Sequence, residues 1–209
     1  MRVYVLSSSP RRDGNSAALA TAAAEGLREA GDDVELAYVD DIVSSFLRDC
    51  RQCRDLNGSC TIADRFGEAF TRSFLPSDGF IVATPIYWYG MSGQLKAFFD
   101  RMFCYVAASN PRSASVKTAM QGKRVGLLMS SEETYPTVSM AVLHQIQEYC
   151  RYTRSTLVGV VHGHGNSRGD IMREPSDPVT AARQFGRTFA SAHASDYHID
   201  TERSARMWC

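Results

Sequence analysis

From near its first residue to beyond its 190th, the chain alternates between short apolar runs rich in branched and aromatic residues and longer segments rich in helix formers. Arg2 to Leu6 reads as a buried strand, broken by Ser and Pro. Ser16 to Ala30 is rich in Ala and Leu; Asn15 or Ser16 can cap its start and Gly31 can end it. The pattern then repeats, with strands expected at Val34 to Val39, Gly79 to Thr84, Arg124 to Ser130 and Thr156 to His162. Helices are expected at Asp64 to Phe74, Ser92 to Val106, Thr137 to Tyr152 and Val179 to Ala192. Asn110 to Gln121 and the tail after Ala194 are polar and weakly patterned, and read as loop or arm.

Five strands separated by helices imply a parallel sheet covered on both faces, because each crossover must return over the sheet, and does so right-handedly. The fold class expected is α/β, a flavodoxin-like doubly wound five-stranded parallel sheet, with one domain over residues 1–194 and a tail over 195–209. In such sheets ligands bind beyond the carboxyl ends of the strands, where the strand order reverses. The loops to watch are therefore Ser7 to Asn15, Asp40 to Cys60, Pro85 to Met91, Ser130 to Pro136 and Gly163 to Pro175.

Charge narrows the function classes. Lys and Arg total 23 and Asp and Glu total 23, so no net field favours nucleic acid or an anionic membrane, and a charged ligand needs a local site. No apolar stretch approaches the roughly 20 residues that span a bilayer, and the N-terminus is too short and polar for a secretion signal, which implies a cytoplasmic protein. Scattered cysteines in a chain of this length are expected as reduced thiols.

The segment SSSPRRDGNS joins the first strand to the first helix, where backbone amides and the positive end of the helix dipole converge. Ser7, Ser8, Ser9, Asn15 and Ser16 can donate to phosphate oxygens, Arg11 or Arg12 can add charge, and Gly14 permits an unusual backbone angle. The segment has neither the spaced glycines of a dinucleotide fingerprint nor the Gly-Lys-Ser/Thr of a P-loop, which favours a mononucleotide phosphate. A polar turn with a capped helix is the plainer alternative.

This loop resembles that of the NAD(P)H-dependent FMN reductase and iron-sulfur flavoprotein family. TPIYWYGMSGQLKAFFDRMF, Thr84 to Phe103, is similar to the family's signature segment, and Arg168-Gly169-Asp170-Ile171 before a helix containing Gly186 is similar to its ending. The resemblance implies FMN as cofactor, NADPH or NADH as electron donor, and a small-molecule acceptor such as a quinone, azo or nitro compound, a flavin or a specialised substrate. It further implies a homodimer or homotetramer; the balanced charge and the lack of a spanning stretch point to neither nucleic acid nor membrane as partner. A flavodoxin-type electron carrier and a flavin-binding regulatory module are the alternatives.

Pro85, Ile86, Tyr87, Trp88, Tyr89 and Gly90 follow the central strand and offer aromatic and backbone groups suited to an isoalloxazine ring. Core or interface packing is the other reading of these rings. Ser130, Ser131, Glu132 and Glu133 follow the fourth strand, where they can meet the flavin's polar edge. Hydride transfer through a flavin requires no protein nucleophile, so no catalytic residue is assigned. Cys50 and Cys53, with Cys60, lie where iron-sulfur relatives carry cluster ligands, yet Leu56 stands at the place of the third; a compact pocket-lining loop is favoured and no metal is assigned. His162 and His164, ending the fifth strand, are candidates to face a bound acceptor.

Overall fold

The computed structural model describes residues 1–48 and 54–192. The order expected from the sequence is present: strands β1 (Arg2–Ser7), β2 (Asp33–Tyr38), β3 (Gly79–Tyr87), β5 (Arg124–Ser131) and β6 (Thr156–His164) are all parallel and lie in the order β2-β1-β3-β5-β6. A two-residue strand, β4 (Gly90–Met91), folds back on the end of β3 as an antiparallel hairpin, so part of the expected Pro85 to Met91 loop is strand. The strand order reverses at β1, which pairs Leu6 with Ala37 on one side and with Val82 on the other.

Strand β1 shows why its apolar run is continuous. Alternate residues face opposite sides: Val3 and Val5 join the core beneath helices α1 (Asn15–Glu29) and α7 (Pro178–Thr188), whereas Tyr4 and Leu6 join the core on the other face. That second core is aromatic, with Phe66, Phe70, Phe74, Phe80, Phe98 and Tyr105 in contact. Its helices are α2 (Phe66–Glu68), α3 (Gly93–Arg101), α4 (Phe103–Val106), α5 (Ser113–Met120) and α6 (Met140–Thr153). Among the described residues, no helix is long and apolar enough to cross a membrane.

Several expectations need correction. The stretch Asn110 to Gln121 is not a loop: α5 occupies most of it, because Val116 and Met120, one helical turn apart, bury against the aromatic core. Asn110 anchors its start, donating from Nδ2 to Gly58 O and Cys104 O, both at 2.8 Å, and accepting from Arg112 N. The segment Asp64 to Phe74 is one α-helical turn that widens into a π-helix over Ala69–Phe74. The helix expected over Ser92 to Val106 is divided at Met102 into α3 and α4. Neither Asn15 nor Ser16 caps α1; Gly14 holds the cap position and has no side chain to bond the helix amides. Gly31 does end that turn, at φ 88°.

Candidate cofactor cleft

The loops after β1, β3, β5 and β6 enclose a cleft of about 560 Å³ beyond the carboxyl ends of the strands. That volume falls within the size of ordinary small-molecule sites.

Its base is the start of α1. The first intrahelical bond runs from Ala18 N to Gly14 O (3.0 Å), so the amides of Asn15, Ser16 and Ala17 precede the helical ladder. No side chain caps them and no acidic residue lies in the first turn, which leaves the positive end of the helix dipole open to an anion. Gly14 has φ −83°, an ordinary angle, so the expectation of an unusual backbone is wrong. Space there is tight: a Cβ would come within 3.1 Å of Arg11 O and 3.2 Å of Ser9 Oγ, so a larger residue needs those neighbours to give by a few tenths of an ångström.

Hydroxyl groups sort into two sets. Ser9 and Ser16 line the cleft; Ser16 Oγ lies 2.7 Å from Ser130 Oγ, joining α1 to the end of β5. Ser7 and Ser8 do not line it. Ser7 Oγ is buried without a partner among the described residues, and Ser8 Oγ donates to Ala83 O (3.0 Å) while accepting from Ser92 Oγ (2.9 Å). The two arginines separate as well. Arg11 is on the cleft wall, whereas Arg12 is held away by Asp41 (2.7 Å) and Asp40 (3.4 Å), with its guanidinium 3.6 Å over the Tyr38 ring.

A second wall is Pro85 to Trp88, at the end of β3. Trp88 and Tyr89 both have positive φ, 48° and 61°, at the tip of the β3–β4 hairpin. Bulky residues rarely adopt such angles, at about 1–2 kcal/mol each, and the right-handed twist of the paired strands demands them there. Tyr89 and Gly90 build the hairpin without lining the cleft. Trp88 is 96% exposed at its mouth.

The third wall is Ser130 to Glu133 and the fourth is Gly165 to Arg168. Asn15 ties the fourth to α1, donating from Nδ2 to Gly165 O (3.0 Å) and Ser167 O (3.1 Å) and accepting from Ile171 N at 3.5 Å. Asn15 also lines the cleft, so the side chain that joins the two walls faces the same space. Within this wall, Gly165 to Ser167 carry no mark in the sequence beyond the choice of loop, since contacts made across 150 residues leave no local signature.

His162 and His164 do not line the cleft. Backbone pairing in β6 points them behind Ser131, whose Oγ is 2.7 Å from His162 Nε2. Burial, then the neighbouring His164, push the His162 pKa down, with Glu174 opposing. Burial pushes the Glu174 carboxyl up, yet bonds from the His164 amide and ring and from Ser176 hold it below its usual range. Cys50 and Cys53 lie outside the described residues. Cys60 is half-buried, with Sγ 3.5 Å from Nη2 of the buried Arg101, which also forms a bidentate pair with Asp64.

An FMN-sized ligand fits this donor set: open helix amides and hydroxyls for a phosphate at the base, backbone and aromatic groups for a flat ring above. Comparison with known proteins points the same way. The chain is 28% identical over 190 residues, 91% of its length and 99% of the other's, to YwqN of Bacillus subtilis (strain 168), named as an NAD(P)H-dependent FMN-containing oxidoreductase. It is 26% identical over 207 residues, 96% of its length and 84% of the other's, to an iron-sulfur flavoprotein of Archaeoglobus fulgidus. Among solved structures, the NAD(P)H:quinone oxidoreductase from Methanothermobacter marburgensis shares the fold, with a TM-score of 0.64 at 20% identity, covering 93% of this chain and 99% of that one. Residues 1–153 match the family model of NADPH-dependent FMN reductases: the chain belongs to that family, and is a flavin oxidoreductase that works with FMN and NAD(P)H.

Proposed function

We propose that the cleft binds FMN and that the enzyme passes electrons from NAD(P)H to a small planar acceptor, such as a quinone, azo or nitro compound or a second flavin. The observation that carries this reading is the uncapped, acid-free start of α1 opening into a cleft at the strand-order reversal. Ser9, Ser16, Arg11 and the first amides of α1 hold the phosphate; Pro85 to Trp88 and Ser130 to Glu133 hold the ring. FMN, when bound, supplies the hydride- and electron-accepting chemistry.

The protein's share is binding, orientation and exclusion of water. Ser16 and Ser130 set the depth of the base through their mutual bond. Tyr87, 47% exposed, and Trp88 leave one side of the mouth open to a flat nicotinamide or acceptor, which enter in turn because they need the same place. The exposed rings of Phe103 and Tyr152, beside the apolar groove between α3 and α6, support assembly as a homodimer or homotetramer.

The visible spectrum of the purified protein tests the reading. Flavin absorbance that bleaches on anaerobic addition of NADPH or NADH is the expected result, and bound flavin that bleaches with neither donor contradicts it.

A further inference from the structure

We propose that His162 is a positioning residue for the cofactor cleft, donating from Nε2 to the Ser131 hydroxyl and so fixing the turn from Ser131 to Glu133 that forms one wall. The inference rests on the reading of this cleft as the FMN site, but the bond itself is argued from hydrogen-bond geometry alone.

Ser131 Oγ has two neighbours at 2.7 Å, Glu133 O and His162 Nε2. A hydroxyl carries one proton, and a carbonyl oxygen only accepts. The Ser131 proton therefore points at Glu133 O, and the bond from the other side has to be donated by Nε2. Neutral His162 is then the Nε2–H tautomer. The Ser131 main chain is already held by Gly165 N (2.8 Å), and its side chain is buried, so the hydroxyl closes the turn upon a fixed base.

A second layer supports the imidazole. The His164 ring lies 4.5 Å from that of His162, centroid to centroid. His164 donates from Nδ1 to Glu174 Oε1 (2.8 Å) and from its amide to Glu174 Oε2 (2.6 Å), while Ser176 Oγ donates to Oε1 (2.9 Å). Carboxylate, imidazole, imidazole, hydroxyl and carbonyl thus form a continuous stack behind the wall. The charged or titratable groups influencing His162 are His164 and Glu174. Because Nε2 already carries its proton in the neutral ring, protonation at Nδ1 leaves the bond to Ser131 in place.

The test joins two readouts. Nitrogen NMR of the imidazoles in flavin-free protein, with His162→Gln used to identify the resonances, is expected to show His162 as Nε2–H. FMN dissociation constants are then compared for wild type, His162→Gln and His162→Leu. The glutamine amide can present an N–H near the place of Nε2, so affinity is expected to stay within about threefold, whereas leucine should weaken FMN about five- to tenfold, the loss of one net hydrogen bond. A merely structural role would lower the melting temperature of both variants without separating their FMN affinities. An Nδ1–H tautomer, or His162→Leu binding FMN as wild type does, overturns the proposal. Wild type that fails to bind FMN overturns the cofactor reading beneath it, a result distinct from either.

Discussion

Asn15 illustrates how one side chain that lines the cleft can also hold two of its walls together. Its amide spans the gap between α1 and the loop after β6, and the carbonyls of Gly165 and Ser167 both require a donor. Asn15→Asp replaces that donor with an acceptor and an added negative charge at the end of the cleft proposed for the FMN phosphate. FMN titration should show weaker binding for Asn15→Asp than for Asn15→Ala, with a lower melting temperature in the aspartate variant. Arginines 11 and 12 give a contrasting pair: Arg11→Ala should weaken FMN severalfold, while Arg12→Ala should leave affinity near wild type because Asp41 and Asp40 already hold that guanidinium outside the cleft. The sequence marks the loop after β1 by its hydroxyls, but cannot tell Ser9 and Ser16, which line the cleft, from Ser7 and Ser8. That distinction depends on which way each strand end points, and on Ser92 and Ala83, far along the chain, taking up Ser8.

Helices α1 and α7 meet where both lack side chains. A Cβ on Gly186 would lie 2.2 Å from Ala23 O, and one on Gly26 would lie 1.9 Å from Arg183 O. Gly186→Ala should force the pair apart at a cost of about 1–3 kcal/mol, read as a melting temperature lower by roughly 2–4 °C per kcal/mol. Glu29 clips the same helices together: hydrogen bonds from Arg183, then Arg187, lower its pKa from 4.5 to about 2. A depressed carboxyl stabilises the fold above its unfolded pKa and loses that contribution as pH falls through the folded one. The stability difference between wild type and Glu29→Gln should therefore be constant above about pH 5 and shrink below 4.5 towards about 2, as acid unfolding curves would reveal. The strands and this helix pair are legible in the sequence because period and composition agree. Helix α5 is not, since Val116 and Met120 are the only apolar residues on its buried side and its anchor, Asn110, bonds to Gly58 and Cys104.

At the scale of the molecule, the cleft draws on loops from β1, β3, β5 and β6, so a ligand there links segments that the sheet alone connects only at their bases. FMN at a hundredfold excess over its dissociation constant should stabilise the folded chain by about 2.7 kcal/mol, and scanning calorimetry should record a rise of several degrees. The hairpin tip carries a different implication. Trp88 and Tyr89 occupy backbone angles that Asn and Gly adopt with far less strain, so the residues best suited to the turn are not those that put the Trp88 ring at the mouth. Laboratory evolution for heat tolerance alone would drift towards Asn-Gly at these two positions and yield a sturdier protein stripped of the Trp88 ring at its mouth. Selection that alternates heat challenge with turnover would keep Trp88, and the contrast between the two lineages would measure how far durability and activity pull against each other at a single bend of the chain.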